Sequence, residues 1–76
     1  MRERIKTLLE DALPLVNLDS EFLFGELDSL DVTQILMILS EEYGIELNHT
    51  DATPKNLKSL DNIVAMVEQK LAEKEK

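Results

Sequence analysis

The apolar positions of this chain fall into three helical stripes separated by broken or polar segments. Ile5, Leu8, Leu9, Ala12 and Leu13 keep the i, i+3, i+4, i+7, i+8 spacing of one buried face, which predicts a first helix from about Arg2 to Leu13. Pro14 ends it, because a proline ring clashes with the preceding turn. Arg2, Arg4 and Lys6 stand in its first turns, where the helix dipole disfavours cations. A second helix is predicted from Ser29 to Tyr43, a run without Gly or Pro and long enough for about four turns. On a wheel of about 100° per residue, Val32, Ile35, Leu36, Leu39 and Tyr43 gather on one side as core. Leu30, Gln34, Met37 and Glu41 gather elsewhere. The third stripe, Leu60, Ile63, Val64, Val67 and Leu71, predicts a last helix starting near Ser59 or Leu60, with a charged end from Ala72 to Lys76 that frays.

The intervening segments differ in character. Leu15 to Leu27 carries seven large apolar side chains, too many to leave in water, so it reads as an ordered loop lying over the helix ends as a lid. Asn17, Asp19 and Ser20 supply turn chemistry there, and Gly25 offers a backbone conformation closed to other residues. Ordered loops of this length are often functional. Gly44 fits a helix C-cap, with Ile45 to Leu47 extended beyond it. Thr53-Pro54 reads as a cap followed by a proline at the first helical position, which predicts a short helix over Pro54 to Leu57. The pattern is all-α: a small antiparallel bundle of three main helices plus one short helix, in a single domain covering 1–76.

Charge sharpens the picture. The net charge is −8, and no Lys or Arg occurs between Thr7 and Pro54 while eleven acidic residues do. Such a field repels nucleic acid and anionic membranes and steers toward basic protein surfaces. No apolar run is long enough for membrane insertion, and no signal-peptide core follows the N-terminus, so a cytoplasmic, monomeric protein is expected. With no Cys, disulfides and thiolate metal sites are excluded, and any thiol chemistry must come from an attached group.

The candidate chemistry sits at Gly25-Glu26-Leu27-Asp28-Ser29-Leu30-Asp31. Ser29 lies where a loop ends and a helix begins, a place where free N–H groups and the dipole favour a phosphate. Enzyme readings lack parts. Ser29 has no base or orienting partner in sight, since the one histidine, His49, stands in a distant loop and reads as a solvated residue. The turn is not a nucleophile elbow, and there is no Gly-rich phosphate loop, His/Cys cluster or calcium loop.

Asp28-Ser29-Leu30-Asp31 followed by an apolar helix to Tyr43 resembles the signature of the acyl carrier protein family, and the order of elements matches along essentially the whole chain. The resemblance implies a non-enzyme whose Ser29 carries a 4′-phosphopantetheine arm through a phosphodiester, with cargo held as a thioester on the arm's thiol. It implies a phosphopantetheinyl transferase as partner, together with an acyl-loading ligase or transferase and downstream synthase or acyltransferase enzymes with basic docking surfaces. Asp28, Asp31 and Glu41 would meet their cations, and Leu30 and Met37 would form the apolar centre of these small, salt-sensitive contacts. Fatty-acid carriers usually place Glu at Gln34 and Ser40, a small residue at Ile38, and a Gly one residue nearer the Ser. These departures look like a discrete carrier dedicated to a specialised pathway, such as polyketide, modified-lipid or amino-acid activation. An aminoacyl carrier would use the same Ser29, and an unmodified helical adaptor would use only the Leu30/Met37 patch. Ser29→Ala separates the carriers from the adaptor, at a structural cost of no more than a cap, about 1 kcal/mol.

Overall fold

The structure, a computed structural model, describes residues 1–74. Each predicted stripe lies on a helix except for Leu13, which caps the end of the first: α1 spans Arg2–Ala12, α2 spans Ser29–Tyr43 and α3 spans Leu60–Lys74. Two 3-10 turns, Leu23–Glu26 and His49–Asp51, interrupt the connections, and no strand occurs among the described residues. Helix α1 packs on both α2 and α3. Ile5 and Leu9 of α1 meet Ile35 and Leu39 of α2 and Ile63 and Val67 of α3 in one core, each removed from water. Burying such a side chain is worth about 1.5–3 kcal/mol, which makes these positions the main source of stability. Leu36 is also buried, Val32, Tyr43 and Leu71 lie partly buried against the core, and Met66 joins it from outside the expected stripe.

The cations at the start of α1 find partners beyond their own helix. Arg2 Nε lies 2.7 Å from Asp61 at the start of α3, and Arg4 reaches Glu42 at the end of α2 at 3.2 Å. Lys6 Nζ is 3.5 Å from Asp19 in the first loop. These pairs are exposed, so each contributes little, about 0–1 kcal/mol. Together they offset the unfavourable dipole position and tie α1 to three other segments.

The first loop acts as a lid through part of its apolar set. Leu18 and Leu23 are buried, and Val16, Phe24 and Leu27 pack partly against the core. Leu15 and Phe22 depart from that expectation, at 98% and 55% exposed. The tight turn after α1, in which Val16 N–H donates to the Leu13 carbonyl at 3.1 Å, brings Val16 in and leaves Leu15 out. Phe22 lies across Gly25, where a Cβ would come within 2.9 Å of the ring. Gly25 is therefore there for close approach and not for an unusual backbone angle; only Gly44 has a positive φ among the described residues, at 61°.

The short helix expected over Pro54 to Leu57 is a single turn instead. One bond of helical reach forms, from Leu57 N–H to the Thr53 carbonyl at 3.0 Å, and Thr53 Oγ1 accepts from Asn56 N–H. The turn delivers Leu57 to the core and stops, because Ser59 begins a new helix by accepting from Asn62 N–H at 3.3 Å. At the other end of α3, Lys74 Nζ donates to the Gly44 carbonyl at 2.6 Å, so the last described turn is anchored and not frayed. Residues 75 and 76, which share the fraying expectation, lie outside the described residues.

Candidate functional site

The loop enters α2 through extended backbone at Leu27 and Asp28, with Asp28 at φ −98° and ψ −179°. A residue in that conformation can turn its side chain back over the first helical turn, and Asp28 does so: its Oδ1 accepts from Asp31 N–H at 2.8 Å. Asp31 returns the bond, its Oδ2 accepting from Asp28 N–H at 3.3 Å. The pair is a reciprocal capping box. Asp28 is the N-cap and Ser29 the first helical residue. The sequence predicts a cap here but not the reciprocal box, whose signal is the Asp-x-x-Asp spacing, close to the usual Ser/Thr-x-x-Glu pattern.

Ser29 is exposed, and its Oγ has no hydrogen-bond partner among the described residues. Its carbonyl accepts from Thr33 Oγ1 at 2.9 Å. The hydroxyl is therefore free while the backbone that carries it is held. No His or Lys side chain is hydrogen-bonded to it among the described residues, and His49 is exposed in the second 3-10 turn. No group of three or more metal-ligating side chains occurs among the described residues.

Around Ser29 the charge is negative and uncompensated. Asp28, Asp31 and Glu41 have no Lys or Arg at ion-pair distance among the described residues, whereas the cations of α1 and Lys70 are taken by Asp61, Glu42, Asp19 and Asp51. Leu30 and Met37 stand on this surface, 66% and 54% exposed. Below Ser29 a groove of about 350 Å³ runs between α2 and the following segment, lined by Thr33, Leu36, Met37, Ser40, Leu47 and His49 among others. Thr33, Leu36 and Ser40 are four, seven and eleven residues beyond Ser29, spacings that share one helix face. The groove therefore starts one turn below the hydroxyl on its own side. The part of His49 in this wall was not visible in the sequence, because no spacing rule connects a loop residue to the helix it faces.

A family model described as a phosphopantetheine attachment site matches residues 2–70. The chain belongs to this family, that of the acyl carrier proteins. It is similar to an acyl carrier protein of Solidesulfovibrio magneticus, at 31% identity over 77 residues that take in 93% of this chain and 95% of the relative. No solved structure matches. The family carries 4′-phosphopantetheine as a covalent group, and its members serve as carriers that meet a phosphopantetheinyl transferase and biosynthetic enzymes. The site fits such a group: the start of α2 offers an exposed, unengaged hydroxyl on a fixed backbone, beside a groove of mixed polarity. No helix of the described residues is long and apolar enough to cross a membrane.

Proposed function

We propose that Ser29 is the attachment residue, and that the chain is a single carrier domain delivering an acyl cargo to enzymes of a lipid or polyketide-type pathway. The observation that carries this reading is the free Ser29 hydroxyl at the first position of α2, flanked by the two capping carboxylates. When bound, the arm supplies a thiol that holds cargo as a thioester, which this Cys-free chain lacks. Asp28, Asp31 and Glu41 offer unpaired charge to basic partner surfaces, with Leu30 and Met37 as the apolar centre. A Met in such a place suits a surface that meets several partners in turn. Gln34, Ser40 and Ile38, where fatty-acid carriers usually have two acids and a small residue, favour a specialised pathway.

Intact mass after incubation with coenzyme A, magnesium and a broad-specificity phosphopantetheinyl transferase tests the assignment. Wild type is expected to gain one arm and Ser29→Ala none. A folded wild type that gains nothing, beside a control that does, would turn the reading toward an unmodified adaptor acting through Leu30 and Met37.

A further inference from the structure

We infer that Asp31 is a positioning residue for the loading of Ser29, acting through the capping box, a role that rests on Ser29 being the attachment residue. The two bonds of the box, Asp31 N–H to Asp28 Oδ1 at 2.8 Å and Asp28 N–H to Asp31 Oδ2 at 3.3 Å, close a ring around the Ser29 and Leu30 peptides. Thr33 Oγ1 holds the Ser29 carbonyl from the other side. Ser29 therefore has its backbone fixed at both flanks, while among the described residues nothing restrains the hydroxyl except its own side-chain torsion. The Asp28 N–H belongs to the Leu27–Asp28 peptide, one before the peptide that joins the serine, and Asp31 is its acceptor. Removing that acceptor loosens the extended Leu27–Asp28 peptide at the entry to the helix, leaving Asp28 held through its carbonyl, which accepts from Val32 N–H at 3.0 Å.

Loading makes this frame matter. The Ser29 oxygen attacks a phosphorus of the coenzyme A pyrophosphate, one O–P bond forms, and the P–O bond to adenosine 3′,5′-bisphosphate breaks. The serine proton passes to a base of the transferase. Attack in line with the leaving group demands a defined oxygen position, and a displacement of about 1 Å costs on the order of 100-fold in such reactions. Asp31 thus does two separable things: its charge faces the partner, and its acceptor oxygen holds the serine backbone.

Asp31→Asn and Asp31→Gln keep an acceptor of suitable reach without the charge, and Asp31→Ala removes both. With a phosphopantetheinyl transferase and coenzyme A, the amide variants are expected to keep kcat within about twofold and to raise the KM for carrier by a few-fold, as a docking charge does. Asp31→Ala is expected to lower kcat by about tenfold or more. The Asp28 amide proton of the unloaded protein reports the box directly. Its hydrogen-exchange protection should persist in wild type and in both amide variants and vanish in Asp31→Ala. Equal loss of kcat in the amide variants and in Asp31→Ala would overturn the role in favour of charge alone. So would a normal kcat in Asp31→Ala with the Asp28 amide released. A wild type that takes no arm fails at an earlier point and overturns the Ser29 assignment itself.

Discussion

A carboxylate at an N-cap accepts from a backbone N–H that the helix cannot satisfy, and Asp28 does this for Asp31 at 2.8 Å. Ser29, one residue on, has no part in the cap. The two positions therefore separate the cap from the proposed attachment residue. Asp28→Ala is expected to destabilise the protein by about 1 kcal/mol, read as a lower urea midpoint at unchanged m. Ser29→Ala is expected to stay within about 0.5 kcal/mol of wild type, as a surface substitution away from a structural feature does. That is less than the cap contribution the sequence suggests, because the side chain doing the capping is its neighbour's.

At the scale of elements, the joint between α2 and α3 has its own logic. Helix α2 carries no basic residue in its last turn, and the cation at its C-terminus comes from α3, where Lys74 donates to the Gly44 carbonyl at 2.6 Å. Gly44 holds a left-handed conformation at φ 61° and ψ 37°, where an L side chain is strained. A Cβ there would meet Lys74 Nζ at 2.9 Å, the far end of a flexible chain that can move, so backbone strain dominates. Gly44→Ala is expected to cost about 1–2 kcal/mol. Thermal denaturation would show this as a fall in Tm of roughly 4–8 °C per kcal/mol. Lys74→Ala, which loses an exposed charge together with its hydrogen bond to the Gly44 carbonyl, is expected to cost about 1 kcal/mol.

For the whole molecule, stability rests on a small core and on a few tethers between distant segments. Ile63 is fully buried where α3 meets the core, and truncation to Ala leaves a cavity. The expected cost of about 2–5 kcal/mol is a large share of what a domain of this size holds, so chemical denaturation should find Ile63→Ala close to unfolding. Asp51 tethers the segment after α2 to α3. Its carboxylate accepts from Asn48 N–H at 2.9 Å and sits 3.0 Å from Lys70 Nζ. These contacts, the Asn48 bond foremost, hold its carboxyl below the ordinary value against the opposing effect of burial. A carboxyl depressed in the folded state adds stability above its unfolded value, and that stability is lost as pH falls through the folded value. Asp51→Asn should therefore be less stable than wild type near neutrality. The difference should shrink as pH drops below about 4, which urea titrations across pH would measure.

Local patterns in the sequence suffice for the three α-helices and for the candidate site. Helical spacing placed the stripes on α1, α2 and α3, and Asp-Ser-Leu at the head of an uninterrupted apolar run marked Ser29, because capping chemistry and periodicity are local properties. Leu30 and Met37 were legible as exposed for the same reason, since a wheel tells one face from another. Long-range packing settled the rest. The dipole alone argues against Arg2, Arg4 and Lys6 at the start of α1, yet their partners lie as many as 59 residues away. The lid over the core takes Leu18 and Leu23 and leaves Leu15 outside, a choice made by a turn and not by hydrophobicity. Pro54 to Leu57 has the local signals of a helix and forms one turn, because what the core requires of that segment is Leu57 alone. Long-range packing chooses among local preferences, and spacing along the chain does not encode which residues it brings together.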